Sequence, residues 1–156
     1  DSYRNLTRVA PPVKRAFYFR ELAERVISLT KEQALVSGAE CIYIEKSDDI
    51  LLYADEGQIT QILINLVKNA IQAEARHIEI TAEINLSEHV IINVTNDGSP
   101  ISKESQEEIF VPFYTTKQEG TGIGLSLSRQ IMRLHNGTLS LTRSDETSTV
   151  FTLTFR

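Results

Sequence analysis

Hydrophobic positions along this chain recur with two different periods, and the places where one period gives way to the other divide it into elements. Ala16 to Phe19 is a short aromatic run that predicts a strand. Leu22, Val26, Leu29 and Gln33 then recur at helical spacing and predict a helix with Val26 and Leu29 facing inward. Glu40–Ile44 and Ile50–Tyr53 predict two strands, separated by the turn-forming Lys46-Ser47-Asp48-Asp49. A helix begins sharply after Asp55, a capping residue, and Gln58 three positions on predicts a capping box. Its apolar stripe is wide: Ile59, Ile62, Leu63, Leu66, Val67 and Ala70. Ile78, Ile80, Ala82 and Ile84 alternate with polar residues, as do Val90, Ile92 and Val94, and Leu86-Ser87-Glu88 joins the two runs as a hairpin. From Asn96 to Gly122 the periodicity is lost. A loop of that length in a compact domain is usually functional. Helical spacing resumes with Ile123, Leu127, Ile131 and Leu134 on one face and a stop at Asn136-Gly137. Thr138–Arg143 and Thr149–Phe155 close the chain as strands, the latter with Phe151, Leu153 and Phe155 on one face.

These elements amount to one domain of ordinary size, in keeping with 156 residues of which 41% are hydrophobic and 24% charged. The domain is expected to begin at Arg15, after a polar stretch broken by Pro11-Pro12 that reads as a linker. A net charge of −5 opposes a surface built for phosphate backbones, so nucleic acid is excluded as an expected partner. Cys41 is the only cysteine, which rules out an intramolecular disulfide and a cysteine-rich metal site. No apolar run approaches the roughly 20 residues of a spanning helix, and the start, Asp1-Ser2-Tyr3-Arg4, carries neither a methionine nor a signal-peptide pattern. The chain is therefore expected to be a segment of a longer protein, itself cytoplasmic, whose parent is a candidate for anchorage in the bacterial inner membrane.

Three segments carry candidate chemistry. Asn65 and Asn69 lie one helical turn apart on the same side of an otherwise apolar helix. Asparagine is a mediocre helix former, and its buried amide needs a partner. The pair either bonds to backbone as a packing device or faces a ligand, and an amide oxygen is a hard donor suited to Mg²⁺. Asn96-Asp97-Gly98-Ser99-Pro100-Ile101 follows a buried strand; it is either a plain turn or a place where a carboxylate meets an exocyclic amine and glycine admits a ring. Gly120-Thr121-Gly122-Ile123-Gly124-Leu125 feeds a helix N-terminus, where free amides and the helix dipole favour phosphate. It is neither a Walker loop nor a dinucleotide fingerprint, and a hinge would use similar glycines.

The order of these segments resembles that of a known family. QITQILINLVKNAIQA is similar to the N box of the GHKL ATPase superfamily, NDGSPI to its first glycine box, IFVPFYTTK to its F box and GTGIGLSLSRQI to its second glycine box. Within the superfamily the likeness is greatest to the catalytic ATP-binding domain of bacterial sensor histidine kinases, and it covers about Arg15 to Phe155. The resemblance implies a two-layer α/β sandwich of the Bergerat type, a mixed sheet of five or more strands covered on one face by about three helices. It implies ATP and Mg²⁺ as ligands. Asn69 would hold the metal and Asn65 would face the phosphates; Asp97 would bind the adenine amino group, with Gly98 and Ile101 lining the base pocket. Phe110 and Phe113 would anchor a mobile lid, Gly122 and Gly124 would offer amides to phosphate beside Thr121, Ile123 and Leu125, and Lys117 would reach the β- and γ-phosphates.

The same resemblance implies transfer of the γ-phosphate to a histidine on a separate dimerisation domain, for relay to a response regulator receiver domain. The parent would be a homodimer and this fragment a monomer. Residues 1–14 would be the end of that histidine-bearing domain and its linker, and 15–156 the catalytic domain. Hydrolysing members of the superfamily carry a glutamate where this chain has Asn65, and an amide cannot serve as that base. His77, His89 and His135 are followed by Ile78, Val90 and Asn136, none in a phosphoacceptor motif, so structural roles are expected for all three. Two departures, Gln72 where many members have lysine and Ser99-Pro100 where a second glycine is common, leave open a module that binds ATP without transferring its phosphate.

Overall fold

The computed structural model describes residues 9–112 and 124–156. Among them the chain order is β1 (Arg15–Tyr18), α1 (Phe19–Ser37), β2 (Glu40–Glu45), β3 (Leu51–Ala54), α2 (Glu56–Gln72), β4 (His77–Ile84), β5 (Val90–Asn96), α3 (Lys103–Gln106), α4 (Gly124–Leu134), β6 (Thr138–Ser144) and β7 (Thr149–Phe155). Five strands form one mixed sheet in the order β2-β4-β5-β7-β6, parallel between β2 and β4 and antiparallel elsewhere. β1 and β3 pair separately as an antiparallel ribbon.

Pleating decides which face of the sheet is buried, because successive side chains alternate. The registers align Ile80 with Val94 and Phe151, and Ala82 with Ile92 and Leu153. These residues form one apolar face, and α1, α2 and α4 make up the second layer. α2 supplies the middle of that layer: Ile59, Ile62, Leu63, Leu66 and Val67 are all at most 1% exposed. Each such side chain is worth about 1.5–3 kcal/mol of burial. The opposite face is polar along its middle, where Thr152 Oγ1 donates to Asn93 Oδ1 (2.6 Å) and lies 2.9 Å from Thr142 Oγ1.

The expected architecture is therefore present, with several local corrections. Leu29 is 61% exposed, because the buried stripe of α1 runs through Leu22, Val26, Thr30 and Ala34 in steps of four and leaves Leu29 beyond its edge. Leu134 is 45% exposed for the same reason; Ile131 is buried as expected, and Met132 beside it is buried in place of Leu134. Phe19 starts α1 rather than ending β1, and is fully buried. The aperiodic stretch after Asn96 contains the one-turn helix α3, capped by Ser102 Oγ accepting from Ser105 N at 3.2 Å. At the end of α4 the left-handed residue is Asn136 (φ 57°), not Gly137. Gly137 is required for space, since a Cβ there would collide with the Thr154 carbonyl oxygen.

Candidate functional site

α2 and its C-cap residue carry a line, Asn65, Asn69 and Ala73, at successive steps of four that bring them to one side of the helix. At 1.5 Å per residue the line is about 12 Å long, and a different piece of chain packs against each end.

At the Asn65 end the partner is the start of α4. Gly124 opens that helix so close to α2 that any Cβ would overlap the Asn65 carboxamide, Oδ1 foremost. Glycine here is a steric necessity of the contact. Asn65 Nδ2 is buried and has no hydrogen-bond partner among the described residues. A buried orphan donor costs about 1–3 kcal/mol and is rare in a finished fold unless something else meets it. It lies at the N-terminus of an eleven-residue helix, where unpaired N–H groups and the dipole present positive potential. The reading of Asn65 as a packing amide bonded to backbone is thus not what this nitrogen shows.

At the Ala73 end the partner is the turn after β5. Ser99 N donates to Ala73 O at 2.8 Å, and a Cβ on Gly98 would approach that same oxygen to 2.6 Å, so no other residue fits without displacing the turn. Asn96, the last residue of β5, continues the parity of Ile92 and Val94 and is only 6% exposed. Its Oδ1 accepts from Gly98 N at 2.8 Å. Beside it in register is Thr149, 2% exposed, whose hydroxyl lies 2.8 Å from Ser144 Oγ; that oxygen in turn accepts from Ile101 N at 2.8 Å. Ile101 is half-buried against the core.

Asp97 has the opposite parity and is exposed. Its Oδ1 accepts from His77 N (2.9 Å) and Arg76 N (2.8 Å), capping the start of β4. The His77 N–H leads in holding this carboxyl below the usual range, and with Arg76 it outweighs the upward push of desolvation. Of the two adjacent residues Asn96 continues the inward parity of Val90, Ile92 and Val94, whereas Asp97, expected to meet the adenine amino group, faces outward.

The base of the loop after α3 is held by Phe110. Its ring packs edge-on against Phe151, with centroids 6.5 Å apart, and the Arg129 guanidinium of α4 lies 4.0 Å over its centroid. Leu125 packs against the core from the first turn of α4. Phe113, Lys117, Thr121, Gly122 and Ile123 lie outside the described residues.

The N-terminus of α2 is knit to two distant segments. Asp55 Oδ1 accepts from Gln58 N (3.0 Å) and Oδ2 from Val13 N (2.9 Å). Burial pushes this carboxyl up, but the Val13 and Gln58 N–H groups prevail and hold it below the ordinary value of 3.8. The reciprocal half of the expected capping box is absent: Gln58 Nε2 donates to Ala10 O instead. Asp55 N donates to His135 Nε2 at 3.0 Å, which with Nδ1 lying 2.8 Å from Ile131 O assigns the proton to Nδ1. His135 thus has the structural role expected of it. Beside this cap, Glu56 binds Arg15 and Arg25, and its carboxyl is held low by Arg15 first, against desolvation.

As a metal site the strip offers oxygen donors only. No group of three or more His, Cys, Asp or Glu side chains among the described residues forms a cage. Mg²⁺ characteristically binds through one or two protein oxygens together with phosphate and water, so the carboxamides of Asn65 and Asn69 fit it in company with a phosphate and not alone. No described helix is long and apolar enough to cross a membrane.

The comparisons with known proteins bear on this geometry directly. The family described as "Histidine kinase-, DNA gyrase B-, and HSP90-like ATPase" matches residues 54–156. Sporulation kinase C of Bacillus subtilis is 32% identical over 136 residues, 84% of this chain and 31% of that protein. Sensor histidine kinase ZraS of Escherichia coli K12 is 39% identical over 104 residues, 65% of this chain and 22% of that protein. The chain thus spans about a third or less of these curated relatives. The catalytic domain of histidine kinase ThkA has the same fold with a TM-score of 0.81 and 35% identity, covering 91% of this chain and 94% of that one. ThkA has also been solved in complex with response regulator protein TrrA; that kinase chain is 33% identical, with a TM-score of 0.76 and coverage of 91% and 41%. The match across α2, the turn at Gly98 and the opening of α4 makes this chain a member of the histidine kinase, DNA gyrase B and HSP90-like ATPase family, of the sensor histidine kinase catalytic type.

Proposed function

We propose that the strip along α2 binds Mg-ATP with its phosphates at the Asn65 end, and that the domain donates the γ-phosphate to a histidine on a separate domain of the parent protein. The observation that carries this reading is the orphan Asn65 Nδ2 beside the opening of α4. It is a donor at a helix N-terminus, where an anion would complete it.

Asn65 is also the reason for transfer over hydrolysis. An amide neither takes up nor releases a proton at working pH, so it orients phosphate oxygens without activating water. Phosphoryl transfer asks little more of a protein than alignment and charge stabilisation. Asn65 and the amides at the start of α4 hold the phosphates in line, Lys117 adds a cation, and Asn69 offers the oxygen that holds the metal. Bound Mg²⁺ supplies neutralisation of phosphate charge. In the step itself the bond between the γ-phosphorus and the bridging oxygen breaks, a bond to the histidine nitrogen forms, and ADP leaves. A receiver domain then takes the phosphoryl group, a reading supported by the ThkA–TrrA complex. Residues 1–14 belong to the linker and to the end of the histidine-bearing dimerisation domain; the ATP requirement assigns the domain to the cytoplasmic side of a dimeric parent protein.

Calorimetry with Mg²⁺ and ATP tests the binding half: Asn69→Ala is expected to abolish the heat of binding while leaving the folded signal intact, and undiminished affinity would overturn the metal assignment. Incubation with the histidine-bearing domain and γ-labelled ATP tests the transfer half. Acid-labile label on the histidine is expected; binding without label would reduce the domain to a passive nucleotide-sensing module.

A further inference from the structure

Arg129 stands half-buried on α4, and in a chain with 21 acidic residues against 16 Lys and Arg it pairs with no carboxylate among the described residues. Its guanidinium lies instead 4.0 Å over the centroid of the Phe110 ring. Phe110 in turn sets its edge against Phe151, and Phe151 is a buried residue of β7 aligned with Val94 of β5. The three side chains carry one contact from α4, through the segment after α3, to an interior strand of the sheet.

We propose that Arg129 is a positioning residue for the phosphate end of the strip: stacked on Phe110, it sets the rotation of α4 that brings the opening of that helix against Asn65. This rests on the nucleotide-binding reading above and concerns what holds its phosphate end in place. An α-helix turns about 100° per residue, so Arg129 lies roughly 140° around α4 from Gly124 and about 7.5 Å along it. The two residues therefore grip the helix from different flanks. Gly124 abuts Asn65, but a glycine has no side chain with which to resist rotation. At the other end of α4, His135 Nε2 accepts from Asp55 N, two turns beyond the point where alignment matters. Arg129 supplies the missing restraint, because a planar guanidinium laid on a ring face tolerates little tilt. The unpaired N–H groups that open α4 serve a phosphate only while they face the same space as Asn65 Nδ2. Arg129 thus acts on the ligand through Phe110 and the backbone of α4.

The test is calorimetric titration of the chain with Mg²⁺ and ATP, repeated in excess adenosine to obtain the affinity for the nucleoside, in the wild type and in Arg129→Ala, Arg129→Met and Phe110→Leu. Arg129→Ala is expected to weaken ATP about tenfold, the size of one lost stacked contact, and adenosine by less than about twofold, since adenosine has no phosphate to align. Arg129→Met has no charge but packs on an aromatic ring, and is expected to bring ATP affinity back to within about threefold of the wild type. Adding Arg129→Ala to Phe110→Leu is expected to cost less than about twofold more, because the contact it removes is already gone. Equal losses for ATP and adenosine, or an unchanged ATP affinity in Arg129→Ala, would overturn the proposal. So would losses that add in the double variant, or Arg129→Met as weak as Arg129→Ala, either of which makes Arg129 a direct phosphate ligand. The comparison of methionine with alanine decides by itself where Phe110→Leu fails to fold. A folded wild type that binds neither ATP nor adenosine overturns the nucleotide reading itself, an outcome distinct from normal binding with no response at Arg129.

Discussion

The two ends of the first three turns of α2 treat their polar groups in contrasting ways. At the N-terminus the carboxylate of Asp55 serves two backbone donors from segments 42 and 3 residues away, and its own N–H meets the ring of His135 from the end of α4. Around Asn65, two and a half turns on, a buried amide nitrogen meets nothing among the described residues. The first arrangement is complete as it stands and is what a fold needs; the second is incomplete until a ligand arrives. Gln58 Oε1 is the exception at the N-terminal end, but it is a carbonyl-type acceptor, a group left underused more often than an N–H. What sets the two ends of this stretch apart is whether the donors and acceptors are satisfied.

The contrast can be broken most decisively at Asn65. Asn65→Leu removes an orphan donor from an apolar setting, so thermal stability is expected to hold or rise, while nucleotide affinity falls by at least about a hundredfold, roughly 2.7 kcal/mol. Calorimetry and thermal melts on the same sample check both. A variant that melts early and binds normally would make Asn65 a structural residue and end the contrast. The opposite pattern is expected of Asp55→Ala: a loss of about 1–2 kcal/mol of stability from the missing cap, read by denaturant unfolding, with nucleotide affinity changed by less than about threefold, since the cap lies more than two turns from Asn65. The smallest effect is that of acid. Asp55 and Asp97 both have carboxyls held below 3.8 in the folded chain. Their contribution is complete above the unfolded value and is lost as pH falls from there through the folded value, because the unfolded chain takes up the protons first. The unfolding midpoint is expected to be flat from pH 6 down to about pH 4 and to fall below it, and the part of that fall due to Asp55 is expected to vanish in Asp55→Asn.

Much of this was legible in the sequence, and the exceptions have physical reasons. β5 and β7 could be read because each buries one face only, which turns pleating into strict alternation. α2 could be read because it is buried along a wide stripe with a capping residue at its start. Leu29 and Leu134 were misread because a helix packed on one side has a sharp edge, and a leucine one step outside the stripe looks the same in sequence as one inside it. The bond from Asp55 N to His135 joins residues 80 apart, and no local spacing announces it. The turn at Asn96 is a different case. There the alternation through Val90, Ile92 and Val94 continues to Asn96 and leaves Asp97 facing outward, a direction that the motif containing Asp97-Gly98 does not announce.

The cap of α2 has a mechanical side. Val13 N, Asp55 and His135 are bonded in series, and Ala10 O is fastened to Gln58 one turn along the same helix. The segment preceding β1 is thereby a tether with two attachment points on α2, and the far end of the series is the last turn of α4, whose first turn abuts Asn65. The two walls of the strip and the segment before β1 are thus joined by one short series of hydrogen bonds that bypasses the sheet.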